Sequence, residues 1–390
     1  MKINTDPEKI EKVLNRGVED VFVKESLKKK LLSGRQLRVK IGIDPTGPKI
    51  HLGRAAALRK LRQFQDLGHQ VILIVGDFTA MIGDPSDKLE KRPMLSEKEI
   101  KANMKNYKIQ LGKIIDLKKT EFEYNSRWLK KLNAMEITNL AESFSVSQMS
   151  NRRNFKDRLE KREEVSLREF LYPLFQGYDS VIMKADIEIG GFDQLFNLKA
   201  GRIVQKHYKM PQQDILTVEM LEGTDGRKMS TSWGNVITIA DEPSDMFGKI
   251  MSVRDDLVPK YFRLCTDISE SEILKDKNPR DLKIKLAYEI VKIYHGEKAA
   301  QEAQKSFTKI FQKKEIPEDL PEIIAHKGEF LSDVLVRGKI VKSKNDFGRL
   351  IKEGAIINLS IMEKLQTTSY KLQTNLTLRI GKKRFVKIVV

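Results

Sequence analysis

A disulfide framework is excluded at once, because the 390 residues contain a single cysteine, Cys265. The same scarcity excludes a cysteine-based zinc site, and no zinc is expected. The thiol is expected to pack in the core of an intracellular protein. No run of 18 apolar residues occurs, so no membrane span and no membrane partner is expected. Residues 1–7 are polar and lack the apolar core of a secretory signal, which points to a cytoplasmic protein. There is no internal repeat of fixed period. Acid is in deficit: 54 Asp and Glu face 72 Lys and Arg, a formal +18. That excess favours a polyanionic partner, nucleic acid before membrane surface.

What is present begins with Ile41-Gly42-Ile43-Asp44-Pro45-Thr46-Gly47-Pro48-Lys49-Ile50-His51-Leu52-Gly53-Arg54. It reads as the end of a buried strand, a Pro- and Gly-rich turn, and a helix entrance. Ala55-Ala56-Ala57-Leu58 continue that helix with strong helix formers. A first strand running into a helix is where doubly wound α/β folds hold phosphates. Residues 71–75, Val-Ile-Leu-Ile-Val, form a continuous apolar run, as a strand covered on both faces should. A second Gly- and Asp-containing loop follows it. Far downstream, Arg227-Lys228-Met229-Ser230-Thr231-Ser232 forms a cationic, hydroxyl-bearing loop suited to a polyphosphate.

The length suggests two or three domains. Residues 8–33 read as two amphipathic helices around a turn, and residues 37–43 as the first strand. Ser96 and Glu99 form a capping box opening a helix over 97–112. Residues 150–168 are rich in Arg and Lys, either a solvated face or an RNA-facing rim. A helix over 166–178, a strand over 185–189, a helix over 194–206 and a strand over 215–218 complete an α/β domain at 1–238. Helical periodicity over 244–268 and 280–312 suggests an all-α domain, 239–318. Residues 326–390 form a small α/β tail holding 14 Lys and Arg against 5 Asp and Glu, a net +9. Such a module is suited to phosphate-dominated RNA binding.

Tyr172, Gln176 and Asp179 fall on one helical face at i, i+4 and i+7. Two polar groups and a phenol behind a phosphate site suit a polar amino acid as substrate.

On these motifs the chain resembles the bacterial tyrosyl-tRNA synthetases, class I enzymes. His51-Leu52-Gly53-Arg54 resembles the first class signature, and Lys228-Met229-Ser230-Thr231-Ser232 the second. Residues 330–335 and 341–354 resemble the S4 RNA-binding domain. The resemblance implies a Rossmann-like parallel-sheet domain, an all-α anticodon-binding domain and an S4-like tail. It implies ATP as a substrate with Mg2+, L-tyrosine and tRNA(Tyr) as partners, and a homodimer. Asp179 would bind the phenol hydroxyl, with Tyr172, Gln176, Asp84 and Gln194 on the ammonium. Gly42, Asp44, His51, Gly191, Asp193 and Lys228 would bind ATP. Thr46, His51, Gly53, Arg54, Lys88, Lys228, Met229, Ser230, Thr231 and Ser232 would serve catalysis, and no residue is expected to bind a metal directly. Lys342, Lys344, Arg349 and Lys352 would face RNA. A phenol acceptor that rejects phenylalanine is a rule for which this family is itself the standard example.

The nearest rival is the tryptophanyl branch, against which the Tyr172/Gln176/Asp179 spacing and the tail both argue. A non-catalytic RNA binder on the same fold is the other, supported only by Arg54 and Thr231, two of three departures from the pattern. Arg54 stands for a His, Thr231 for a Lys, and Lys40 where one branch has a substrate-contacting Tyr. Restoring the missing cation with Thr231→Lys is expected to raise the rate of amino-acid activation, measured by pyrophosphate exchange. An unchanged or lower rate would mean the loop is built around threonine.

Overall fold

The computed structural model describes residues 2–85, 94–273, 278–311, 320–359, 363–381 and 384–390. The chain divides into two compact units, Met1–Glu297 and Lys298–Val390. The first is built on a six-stranded sheet: β1 (Val18–Phe22), β2 (Arg38–Ile43), β3 (Gln70–Val75), β4 (Thr120–Tyr124), β5 (Ile187–Gly191) and β6 (Asp214–Val218). The order across it is β1-β6-β5-β2-β3-β4. All neighbours are parallel except β1, which runs antiparallel along β6 at the edge. From β2 the chain winds outward through β3 and β4, then returns to build β5 and β6 on the other side. The switch point therefore lies between β2 and β5, where such sheets open a crevice at their carboxyl ends.

Burial follows that topology. β3 is buried over its last five residues and β6 over all five, as central strands covered by helices must be. The helix Leu52–Asp66 covers one face, its N-terminus capped by His51 Nδ1, which accepts from the Arg54 N–H at 3.4 Å. On the other face the helices Leu167–Ile182 and Leu195–His207 pack tightly against each other. The capping box at Ser96 is present, but its helix ends at Met104 and a second, Tyr107–Leu111, follows. The segment 8–33 is helix, strand and helix rather than two helices, because β1 supplies the edge partner of β6.

The helices Pro243–Met251, Val258–Cys265 and Pro279–His295 belong to the first unit. Arg16 fastens the end of Val258–Cys265 by donating to the carbonyls of Arg263, Phe262, Thr266 and Ile268 at 2.6–3.2 Å. Cys265 is buried there, and burial pushes its thiol up to about 12, leaving an unreactive core residue. The second unit holds a five-stranded sheet, β7 (Glu322–Ile324), β8 (Ile356–Asn358), β9 (Glu363–Lys364), β10 (Leu376–Ile380) and β11 (Arg384–Val389), ordered β7-β11-β10-β8-β9. The helices Leu331–Arg337 and Lys344–Lys352 close its core on Leu335, Phe347, Leu350, Leu378 and Val386. No helix among the described residues is long and apolar enough to cross a membrane.

The basic run at 150–168 is not uniformly at the surface. Arg158 is 2% exposed and Arg152 7%. Arg158 forms a paired hydrogen bond with the Glu169 carboxylate at 2.7 and 3.1 Å, inside the first unit. Removing one partner of a buried ion pair strands the other charge. Glu169→Ala is therefore expected to cost about 3–5 kcal/mol, read as a lowered urea midpoint. A cost near zero would mean Arg158 finds water.

Candidate active site at the switch point

A cavity of about 440 Å³ opens at the carboxyl ends of the strands. Four loops build it, after β2 (Asp44 to His51), β3 (Gly76 to Asp84), β5 (Gly191 to Gln194) and β6 (Met220 to Thr231). Of the residues singled out in the sequence, Gly42, Asp44, Thr46, His51, Gly53, Arg54, Asp84, Tyr172, Gln176, Asp179, Gly191, Asp193, Gln194, Lys228, Met229, Ser230 and Thr231 all line it. Lys88 lies outside the described residues, as does the Ser232 side chain.

At the inner end, Asp179 is 4% exposed. Its carboxylate accepts from Trp128 Nε1 at 2.8 Å and from Asn125 Nδ2 at 3.2 Å. Burial pushes it up to about 7, although the nearby Lys40 charge and these two donors oppose the rise. Tyr172 donates its phenol to Asp44 Oδ2 at 2.9 Å, and Thr79 donates to Asp44 Oδ1 at 2.7 Å. Burial likewise raises Asp44, to about 6. Burial also raises the Tyr172 phenol well above its usual range, so it stays a donor. Asp84 accepts from Gln194 Nε2 at 2.6 Å and Asn197 Nδ2 at 3.2 Å, and faces Arg152 at 3.9 Å. Two side walls thus present carboxylates and amides to one small space.

The outer end carries cations, two of them paired with carboxylates. His51 is not one of them: burial, with the Arg54 and Lys228 charges beside it, pulls it down to about 3. Its Nδ1 accepts the Arg54 N–H, which leaves the proton on Nε2 as a donor. Arg54 reaches the Thr46 hydroxyl at 2.8 Å and the Asp44 carbonyl at 3.1 Å. Lys228 bridges the mouth to Asp193 at 2.7 Å. Arg227 pairs with Asp225 at 2.6 Å and stacks on the Trp233 ring, 4.7 Å from its centre. This end offers a neutral imidazole donor, a guanidinium and an ammonium, the set a polyphosphate needs.

The structure also brings in residues that sequence reasoning missed. Thr79, Asn125, Trp128, Asn197 and Arg152 hold the carboxylates that line the cavity. Asn125 directly follows β4, so its place at a strand's carboxyl end was an available signal. Lys342, Lys344, Arg349 and Lys352 sit in the second unit, all exposed on or beside the helix Lys344–Lys352. Arg349 is already paired with Asp346 and Glu353, both at 2.8 Å, and Lys344 with Asp333 at 2.6 Å.

A family model for class I tRNA synthetases (W and Y) matches residues 32–312. The tyrosine--tRNA ligase of Thermotoga maritima is 44% identical over 393 residues, covering 98% of each chain. That of Carboxydothermus hydrogenoformans is also 44% identical, covering 97% of each. Among solved structures, a C-terminally truncated mitochondrial tyrosyl-tRNA synthetase from Aspergillus nidulans superposes with a TM-score of 0.65 at 22% identity, over 78% of this chain and 94% of that one. The Archaeoglobus fulgidus tyrosyl-tRNA synthetase complexed with L-tyrosine gives 0.60 at 18%, over 76% and 99%. At such identities the superpositions speak for the fold alone.

Two glycines separate packing from access. A Cβ on Gly76 would fall on the Asp44 carboxylate and the Thr79 hydroxyl, whereas one on Gly42 would meet nothing within 4 Å. Gly76→Ala is expected to cost about 1–3 kcal/mol of stability by overpacking, and Gly42→Ala none. Thermal unfolding of both variants checks this, and equal melting temperatures would contradict it.

Proposed function

The chain belongs to the class I tRNA synthetases, in their tyrosine--tRNA ligase branch, and on that premise we propose that it activates L-tyrosine with ATP and transfers it to the 3′ end of tRNA(Tyr). One observation carries the choice of amino acid. Tyr172, Gln176 and Asp179 line the same cavity as His51, Arg54 and Lys228, so a phenol acceptor and a phosphate clamp share one space.

In this reading Asp179, oriented by Trp128 and Asn125, accepts the phenol hydroxyl of the substrate. Tyr172, Gln176, Asp84 and Gln194 hold its ammonium. The carboxylate is ionised at neutral pH and needs no base. Its oxygen attacks the α-phosphorus, the bond to the β-phosphate bridge breaks, and pyrophosphate leaves with the electron pair. In-line positioning and charge stabilisation lower the barrier. Asp44, Gly42, Gly191 and Asp193 bind the nucleoside part. Thr46, the Nε2–H of His51, Arg54, Lys228 and the hydroxyl loop of Ser230 and Thr231 meet the phosphates, with Lys88 and Ser232 assigned there by resemblance. The terminal ribose hydroxyl of tRNA then attacks the acyl carbon and adenylate departs.

Mg2+ is assigned to the nucleotide. Among the described residues no group of three His, Cys, Asp or Glu could hold a metal. By the resemblance it would be held by phosphate oxygens and water and would offset charge on the phosphates. We assign residues 239–318 to anticodon binding and 326–390, through Lys342, Lys344, Arg349 and Lys352, to RNA backbone contact. By the same resemblance the enzyme acts in the cytoplasm as a homodimer.

ATP–pyrophosphate exchange with tyrosine, phenylalanine and tryptophan supplied separately tests the reading. Exchange is expected with tyrosine alone. Tryptophan as the better substrate would move the chain to the neighbouring branch, and no exchange with any of the three would leave an RNA binder on a silent fold.

A further inference from the structure

Beneath the inner end of the cavity lies an ion pair that does not line it. Lys40 on β2 and Glu188 on β5 are Cα partners in the parallel ladder at the switch point. Their side chains meet at 3.0 Å, and each is 1% exposed. Taking two charges out of water costs several kcal/mol per ion, and well-packed apolar residues usually serve stability as well. A pair this deep therefore calls for a role other than stability.

Its contacts point to one. Glu188 gathers donors: Gln176 Nε2 at 3.0 Å, Ser180 Oγ at 3.3 Å and Gln213 Nε2. Lys40 Nζ donates to the backbone carbonyl of Gln176 at 3.2 Å. Gln176 is thus held at both its amide and its carbonyl by the two halves of one pair. Lys40 also stands close enough to Asp179 to favour its ionised form, while Glu188 disfavours it. Lys40 stands where one branch of the family has a substrate-contacting Tyr, and its ammonium is turned onto Glu188 and Gln176.

We propose that the Lys40–Glu188 pair is the positioning element of the amino-acid pocket, fixing Gln176 and setting the charge that faces Asp179, and so deciding between a phenol and a bare ring. The inference rests on the tyrosine-activating reading. Lys40 and Glu188 act through Gln176 and Asp179 rather than by touching substrate. The charged and titratable groups around Asp179 are Lys40 from β2, Glu188 from β5 and Tyr172 on its own helix. Trp128 and Asn125 add neutral donors.

The test uses Lys40→Met and Glu188→Gln in the full-length protein, read by ATP–pyrophosphate exchange from pH 5.5 to 9. Lys40→Met is expected to raise KM for tyrosine about tenfold, a lost charge-assisted contact, leave KM for ATP nearly unchanged, and narrow the preference for tyrosine over phenylalanine. It should also move the acid limb of kcat/KM for tyrosine upward, by about one pH unit, since a cation beside Asp179 is gone. Glu188→Gln, similar in shape, should move that limb downward. Limbs that stay in place, or move together, would overturn the inference and leave a packing role. If Lys40→Met does not fold, the direction of the Glu188→Gln limb decides alone. A wild type that exchanges with tyrosine while both variants match it sinks only this inference. A wild type silent with tyrosine sinks the activity reading and this inference with it.

Discussion

The Asp44 carboxylate is the contact on which the site turns. It directly follows β2, takes the Thr79 hydroxyl from the loop after β3, and takes the Tyr172 phenol from the helix Leu167–Ile182. Its own carbonyl receives Arg54 from the next helix. One residue thus ties four elements at the switch point, and Gly76 leaves the space for it. A displaced Asp44 would release Tyr172 and Arg54 together, one from each end of the cavity. Its cost is visible in the direction of its titration, raised by burial even with two hydroxyl donors in place.

The same logic runs through the inner cavity. Asp44, Asp84, Asp179 and Glu188 are four carboxylates in or beside one small space, and each is answered by donors from other elements. Unanswered, like charges so close would disfavour ionisation. Answered by amides, an indole and hydroxyls, they become fixed acceptors of known direction. Fixed acceptors discriminate well, because a ligand lacking the matching donor leaves a buried group unpaired.

The framework was readable wherever one element carried its own signal. The apolar run of β3, the His51 entrance and the capping box at Ser96 each appear where the pattern implied. The site loops were readable for a topological reason: ligand groups in such sheets gather at strand carboxyl ends. The strand Val18–Phe22 was not, because a five-residue edge strand owes its existence to pairing with β6. Arg152 and Arg158 looked like surface charge. Their burial depends on Asp84 and Glu169, partners that no local pattern identifies. Asn125 and Trp128 are single polar or aromatic residues whose role exists only once Asp179 is brought beside them.

The three departures from the family pattern gain meaning from their surroundings. Arg54, where a histidine is usual, spans Thr46 and the Asp44 carbonyl, so its guanidinium is anchored on the turn at the outer end of the cavity. Thr231, where a lysine is usual, lies with its methyl group close to Gly47 of that same turn. That turn thus meets the Arg54 guanidinium on one side and the Thr231 methyl on the other. Lys40 is answered in the same way, by Glu188 in register on the next strand. In each case the unusual residue and its partner come from different elements that meet only in the folded state. The departures are then local exchanges of charge and shape within a kept geometry, which is why they argue for a rearranged synthetase site rather than a decaying one.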